Sequence, residues 1–163
     1  MNKIDPTAVI SALSDIETSA RGTSVEIGAN SVIDAFVKIK TVGGDGDIVI
    51  GKNVYLNSGI VIYSGNGIKI GDNCLIAANC TFAATNHEFA DPNKLIREQG
   101  FKPSRGGITL GNDVWVGANS VLLDGTEIGE GAVVAAGSVV RGKLEPYGVY
   151  AGSPASKVGH RNG

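Results

Sequence analysis

The chain has 163 residues, enough for one domain with its own hydrophobic core. A net charge of -2 and a pI near 5.6 do not favour a nucleic-acid partner. The sequence contains no apolar run near the ~20 residues that span a bilayer, and its start lacks the basic and apolar regions of a signal peptide. We therefore expect a single cytoplasmic domain without a membrane span.

The sequence pattern of residues 1–24 predicts a short amphipathic helix. Asp5 can act as its N-cap and Pro6 suits its first turn. Apolar residues follow at Ala8, Val9, Ile10, Ala12, Leu13 and Ile16. We expect this segment to cap one end of the domain, because an uncovered sheet edge invites pairing with other chains.

From residue 25 onward an aliphatic residue returns every six positions. The clearest run is Leu110, Val116, Leu122, Ile128, Val134 and Val140. A period of six differs from the two of an ordinary strand and the 3.6 of a helix, so it indicates a solenoid of short strands and turns. The fourth residue after each aliphatic one is small or β-branched and should also point inward. Cys74 and Cys80 occupy this position, which predicts buried core residues rather than a disulfide or a metal site.

Three hexads make one coil. The repeats group into five sets of eighteen residues: 27–44, 50–67, 70–87, 110–127 and 128–145. The expected fold is therefore all-β, a parallel β-helix of about five triangular coils over residues 25–145, followed by a tail at 146–163. The period does not determine the handedness of the coil.

One long interruption, residues 88–107, breaks the repeat directly after His87. A loop of this length in a tightly stacked fold favours a functional role. A lone histidine more often has a structural role than a catalytic one. The position of His87 at the break in the repeat favours a catalytic role. A neutral imidazole there could act as a general base on a hydroxyl or an amine. Adjacent strand residues face opposite ways, so Glu88 is a weak candidate to orient the ring.

Four stretches, residues 85–88, 111–119, 136–140 and 151–155, are Thr-Asn-His-Glu, Gly-Asn-Asp-Val-Trp-Val-Gly-Ala-Asn, Ala-Gly-Ser-Val-Val and Ala-Gly-Ser-Pro-Ala. Together with the hexads they resemble the left-handed parallel β-helix acyltransferases, above all the galactoside, maltose and polysaccharide O-acetyltransferase branch. The similarity runs from about residue 25 to the end. It implies a homotrimer that binds acetyl-CoA, without a metal, in the cleft between neighbouring chains.

The resemblance also assigns roles to residues. His87 takes the place of the catalytic histidine, and Asn57 falls where an asparagine contacts the acceptor sugar. We expect Asn86 and Glu88, which flank His87, to contact the acceptor as well. The residues expected to bind CoA are Trp115, Gly117, Ala118, Ala136, Arg141, Gly142 and Lys157, with the Ala118 N–H meeting the thioester carbonyl. Ser156 and Gly159 stand where related chains often carry basic residues, which changes the contacts expected with the CoA nucleotide.

The leading hypothesis is acetyl transfer from acetyl-CoA to a hydroxyl of a sugar or polysaccharide precursor, by direct attack with His87 as general base. The alternative is N-acetylation of an amino sugar or nucleotide sugar on the same scaffold. Trimeric zinc hydratases share the solenoid but need three histidine ligands, and this chain has two histidines. A non-catalytic structural or ice-binding β-helix would show aligned threonine ladders, of which this sequence has few.

Overall fold

A computed structural model describes residues 2–162. Each coil contributes one short strand to each of three sheets. In chain order the strands are β1 (Lys3–Ile4), β2 (Val9–Ile10), β3 (Asp15–Ile16), β4 (Val25–Ile27), β5 (Val32–Ile33), β6 (Lys38–Lys40), β7 (Ile48–Ile50), β8 (Tyr55–Leu56), β9 (Val61–Tyr63), β10 (Ile68–Ile70), β11 (Leu75–Ile76), β12 (Thr81–Ala83), β13 (Ile108–Leu110), β14 (Trp115–Val116), β15 (Val121–Leu123), β16 (Thr126–Ile128), β17 (Val133–Val134), β18 (Val139–Val140), β19 (Lys143–Leu144), β20 (Gly148–Gly152) and β21 (Ala155–His160).

The three sheets are the sides of a triangular prism. Sheet A runs β1-β4-β7-β10-β13-β16-β19, sheet B runs β2-β5-β8-β11-β14-β17-β20-β21, and sheet C runs β3-β6-β9-β12-β15-β18. All neighbouring strands pair in parallel except β20 and β21. The strand register places chemically similar residues above one another in successive coils, for example Ile50, Ile70 and Leu110. The prediction of a parallel β-helix is confirmed.

Both inward positions of the hexad form the core. The aliphatic anchors from Ile27 to Val140 are buried, and so are most of the residues four positions later, such as Ser31, Cys74 and Ser138. Inward polar groups are satisfied by backbone carbonyls. The Ser120 hydroxyl donates to the Gly117 carbonyl at 2.8 Å, and the Cys80 thiol donates to the same carbonyl at 3.2 Å. Cys74 and Cys80 are free and buried, as their hexad position predicted.

The N-terminal helix predicted for residues 1–24 is wrong. Strands β1, β2 and β3 form an additional coil that pairs in parallel with β4, β5 and β6. The sequence signal is Ile4, Ile10 and Ile16, which keep the six-residue period. Asp5 caps a turn instead of a helix, since its carboxylate accepts the Thr7 backbone N–H at 2.9 Å. The five predicted coils are all present, and this segment adds a sixth.

The C-terminal tail begins as a seventh, incomplete coil. Strand β19 joins sheet A and β20 joins sheet B, next to β17. Strand β21 then folds back antiparallel on β20 and ends sheet B. In the part of the chain described here, no helix is long and apolar enough to cross a membrane.

The long loop leaves the prism after β12 and returns at β13, and its middle contains one turn of 3₁₀ helix, Ile96–Glu98. Asp124, which is 3 % exposed, attaches its return to the prism. The Asp124 carboxylate accepts the backbone N–H of Arg105 and of Gly107, each at 2.9 Å, and the Asn66 side-chain N–H at 3.1 Å. One buried carboxylate therefore links the coil below the loop, the loop itself and the coil above it.

Asp124→Ala should destabilise the protein by about 2–4 kcal/mol, because it leaves three N–H donors without their charged acceptor. The loop should also become a better protease substrate. Glu127→Ala is the control, since Glu127 is exposed and its ion pair with Lys143 spans 3.6 Å, so its loss should cost about 0.5 kcal/mol or less. If urea unfolding shows the same loss of unfolding free energy for both variants, this role of Asp124 is contradicted.

Close stacking also demands glycine at one prism corner. A Cβ on Gly71 would lie 2.5 Å from the Gly111 carbonyl oxygen of the next coil. Gly71→Ala should therefore lower the free energy of unfolding by about 1–3 kcal/mol. Gly137→Asn is the control, because Gly137 has open space around it and a φ of 71°, and Asn119 below it already adopts a φ of 59°. Equal stability of the two variants in urea would refute the steric explanation.

Candidate functional site

His87 lies at the base of the long loop, at the corner between sheets C and A. Two backbone hydrogen bonds close the loop around it: the Lys102 N–H donates to the Asn86 carbonyl at 2.8 Å, and the Glu88 N–H donates to the Gly100 carbonyl at 2.9 Å. These bonds set His87 opposite Phe101 in an antiparallel bridge. The position of the histidine therefore depends on the return path of the loop.

The imidazole of His87 is exposed and packs against the Phe101 ring, with ring centroids 4.8 Å apart. Glu88 does not orient it. The Glu88 carboxylate accepts the backbone N–H of Phe89 at 2.8 Å and of Ala90 at 3.1 Å. These bonds lower the pKa of Glu88, so its carboxylate is charged at neutral pH and is engaged within the loop.

A groove of about 330 Å³ opens beside His87. Its walls include Asn86 and His87 from the loop base, Lys102 and Arg105 from the loop return, and Arg141 from the corner after β18. The buried Asp124 lies in the same wall. Asn86, His87 and Arg141 were predicted as site residues from the sequence, but Lys102, Arg105 and Asp124 were not, because their proximity depends on the loop path.

A second group of predicted residues lies at another corner, between sheets B and C. Ser58, Ala78, Ala118 and Ala136 occupy equivalent turn positions in successive coils, since Asn79, Asn119 and Gly137 donate to the carbonyls of the residues below them. Gly117 precedes Ala118, and Asn57 lies two coils lower, on the order of 10 Å away at the usual strand spacing. The Asn57 side chain donates to the Ile76 carbonyl at 2.9 Å.

The Ala118 N–H is available at this corner. Gly117 and Asn119 donate to carbonyls of adjacent coils, whereas within residues 2–162 the Ala118 N–H has no hydrogen-bond partner. A φ of 59° at Asn119 is typical of the second central position of a type II turn, in which Ala118 would hold the first central position. Ala118 is partly exposed, so its N–H can bind an oxygen supplied from outside the chain.

The structure therefore separates the predicted site residues into two groups. Asn86, His87, Glu88, Arg141 and Gly142 lie at the corner between sheets C and A. Asn57, Gly117, Ala118 and Ala136 lie at the other edge of sheet C. One prism cannot bring the two corners to a common point.

Trp115 and Lys157 lie apart from both groups. Trp115 is 53 % exposed on the outer face of sheet B and stacks over Leu75, which is 54 % exposed. Lys157, on β21, forms an ion pair with Glu145. Its side chain is therefore engaged with the tail of its own chain.

Neither a reactive thiol nor a metal-ligand cluster accompanies His87. Burial raises the pKa of Cys74 to about 11 and also raises the pKa of Cys80, so both thiols stay protonated at neutral pH. Residues 2–162 contain no group of three or more His, Cys, Asp or Glu side chains that could hold a metal ion.

Comparison with known families identifies the repeats. Residues 107–142 match the model described as bacterial transferase hexapeptide (six repeats). Residues 47–82 match the model described as hexapeptide repeat of succinyl-transferase. The two matches lie on either side of the long loop. Residues 47–82 form coils three and four, and residues 107–142 form coils five and six.

Two curated relatives come from Escherichia coli K12. The galactoside O-acetyltransferase is 37% identical over 112 residues, 69% of this chain and 53% of the relative. WbbJ, whose name proposes O-acetyl transfer in lipopolysaccharide biosynthesis, is 32% identical over 142 residues, 84% of this chain and 69% of the relative. The chain spans about half the length of the first of these relatives and about two thirds of the second.

Among solved structures, a mutant of AntD from Bacillus cereus superimposes with a TM-score of 0.83 at 25% identity, covering 98% of this chain and 84% of AntD. AntD is an N-acyltransferase, and that structure contains dTDP and coenzyme A. The repeat matches, the extent of the WbbJ similarity and the shared architecture lead to one assignment. The chain belongs to the hexapeptide-repeat acyltransferase family and adopts its left-handed parallel β-helix.

Proposed function

We propose that this chain transfers an acetyl group from acetyl-CoA to a hydroxyl of a sugar or polysaccharide precursor. The observation that carries the proposal is His87, an exposed imidazole fixed at the base of the loop and facing a groove of about 330 Å³. A neutral imidazole is suited to accept a proton near pH 7. The names of the two E. coli relatives support a saccharide hydroxyl as the acceptor.

In the proposed reaction His87 removes the proton of the acceptor hydroxyl as its oxygen attacks the thioester carbon. The carbonyl oxygen becomes an oxyanion, and the Ala118 N–H donates a hydrogen bond to it. The C–S bond then breaks, and the thiolate of CoA leaves and takes the proton from the imidazolium. Each bond that forms is therefore matched by one that breaks, without a covalent enzyme intermediate.

Direct transfer is supported by the absence of a suitable nucleophile near His87. Both thiols are buried in the core and protonated. Among the described residues that line the groove, no side chain is a serine, threonine or cysteine, and the Asp124 carboxylate already accepts three N–H groups. The acceptor itself is therefore the attacking group.

We further propose that the site is shared between chains of a homotrimer. His87 and Ala118 lie at opposite edges of sheet C, so they can act on one substrate only if they belong to different chains. The outer face of sheet B supports such contact, because Tyr55, Leu75 and Trp115 form a continuous exposed apolar column. Covering this column gives the hydrophobic gain that assembly needs. Asn57, Trp115, Gly117 and Ala136 would then border the cleft that receives acetyl-CoA.

A second candidate reaction is N-acylation of an amino sugar. The structural similarity to AntD, an N-acyltransferase seen with dTDP and coenzyme A, supports it. The same base and the same oxyanion donor would serve an amine. Acceptor-dependent release of CoA with matched sugars and amino sugars distinguishes the two reactions.

His87→Ala should lower turnover by about 10²–10⁴ while leaving CoA binding and the fold unchanged, as expected for loss of a general base. The measurement is CoA release from acetyl-CoA, followed with a thiol reagent, against sugars, amino sugars, nucleotide sugars and oligosaccharides. His160→Ala is the control, because His160 is exposed on β21, far along the chain from the groove. Full activity of His87→Ala would remove His87 from the mechanism.

Ala118→Pro removes the proposed oxyanion donor and should lower turnover by about 10²–10³. Proline suits the first central position of a type II turn, so the fold should persist. Ala29→Pro is the matched control. Ala29 is also partly exposed and precedes a residue with positive φ, Asn30 at 57°, but it lies at the corner between sheets A and B. If both variants keep wild-type turnover and circular dichroism, the Ala118 N–H has no role in catalysis.

A further inference from the structure

Phe36 holds a backbone conformation that bulky residues rarely adopt. It lies in the turn between β5 and β6, at the corner between sheets B and C, with a φ of 63°. In the coils above, the residue at the same turn position also has a positive φ but is glycine or asparagine: Gly59, Asn79, Asn119 and Gly137. Those two residue types tolerate this region, whereas a large side chain is strained in it. The chain therefore keeps a phenyl ring at this corner despite a conformational cost.

Packing within the chain does not explain this ring. Phe36 is 61 % exposed, and within residues 2–162 its ring forms no aromatic pair and no cation–π contact. Tyr147 is the other aromatic residue with a positive φ in the described range, and its ring has a structural role. That ring covers Gly131, where an added Cβ would lie 2.4 Å from it. Strain at Phe36 without such a packing gain points to a partner outside the chain.

The corner that carries Phe36 also borders the proposed cleft. Asn57 follows β8 one coil above Phe36, and Ala118 lies three coils above it. In the proposed reaction the thioester carbonyl meets the Ala118 N–H, and the remaining residues expected to bind CoA at or beyond coil six, from Ala136 to Lys157, lie higher still. Direct transfer holds donor and acceptor in the cleft together. The acceptor therefore occupies the lower coils, toward Phe36.

Phe36 lies too far from His87 to contact the sugar ring that reacts. His87 follows β12 in coil four, two coils above Phe36. In a trimer of parallel prisms this difference in height is about 10 Å at the usual strand spacing, which one sugar ring does not bridge. A second ring, joined by a glycosidic bond, reaches it. The C–H groups on one face of a pyranose form an apolar surface, and an exposed phenyl ring gains free energy by covering that surface.

Building on the proposed function, we infer that Phe36 forms a second acceptor subsite, which stacks on a sugar ring next to the ring that is acetylated. The acceptor is then a saccharide of at least two units, placed so that a hydroxyl of its first ring meets His87. Phe36 touches the substrate away from the reacting atoms, so it determines acceptor selectivity and not the chemical step. Substrate contact also explains why this turn position carries a phenyl ring in place of glycine or asparagine.

The test compares single sugars with disaccharides by ligand-observed NMR titration of the intact protein saturated with CoA. The pairs are glucose with maltose, galactose with lactose, and N-acetylglucosamine with chitobiose. In at least one pair the disaccharide should bind about fivefold or more tightly. Phe36→Asn should abolish this preference and leave the affinity for the single sugar unchanged. Phe36→Tyr should keep the preference, because it retains the flat ring.

Stability provides a second readout of the same variant. Phe36→Asn should not lower the urea midpoint of unfolding at fixed protein concentration, because asparagine already holds this turn position at Asn79 and Asn119. Tyr147→Asn is the matched control, since it makes a similar change at the corner between sheets A and B, away from the cleft. It should keep the disaccharide preference and lower the midpoint, because it uncovers Gly131.

Equal affinity for single sugars and disaccharides in every pair would overturn the inference, as would a disaccharide preference that survives in Phe36→Asn or is lost equally in Tyr147→Asn. A change of molecular mass of Phe36→Asn in light scattering would make Phe36 an assembly contact, which also overturns it. A CoA titration of the wild type separates these results from failure of the proposed function. Normal CoA binding without a disaccharide preference refutes the second subsite alone, whereas no CoA binding refutes the acyltransferase proposal.

Discussion

The structure depends on the parallel stacking of identical coils in register. Strands stack at about 4.8 Å, so each side chain lies directly above its equivalent in the coil below. The column Ile50, Ile70 and Leu110 illustrates the consequence, because each member is buried by the next. This constraint explains the six-residue period, the glycine at Gly71 and the buried hydroxyl of Ser120. It also explains why an inserted loop must leave the prism entirely.

The same constraint creates the candidate site. The loop interrupts only one corner, and the hydrogen bonds around Asp124 restore continuity between the coils on either side of it. His87 is fixed where the loop departs, opposite Phe101. At the other edge of sheet C the turns are regular, and each presents an outward N–H such as that of Ala118. In the proposed mechanism the irregular corner supplies the base, and the regular corner supplies the oxyanion donor.

Much of the fold could be predicted from the sequence because the repeat itself encodes the coil. The period placed Cys74 and Cys80 in the core, and both positions are confirmed. The N-terminal coil was missed because Ala8 and Leu13 give a helical pattern that obscures Ile4, Ile10 and Ile16. Lys102, Arg105 and Asp124 could not be assigned to the site, since the path of an irregular loop leaves no periodic signal. The hexad also specifies which corner a residue occupies, but not which corner of another chain it faces.

The proposed site combines His87 of one chain with Ala118 of another. The most direct measurement mixes His87→Ala and Ala118→Pro in equal amounts, exchanges their subunits by unfolding and refolding, and assays CoA release with a responsive acceptor. Each variant alone should be nearly inactive. In mixed trimers about a quarter of the clefts would join an intact His87 to an intact Ala118, so about a quarter of wild-type activity should return. If the mixture remains as inactive as the separate variants after confirmed subunit exchange, the two groups do not act across a shared cleft.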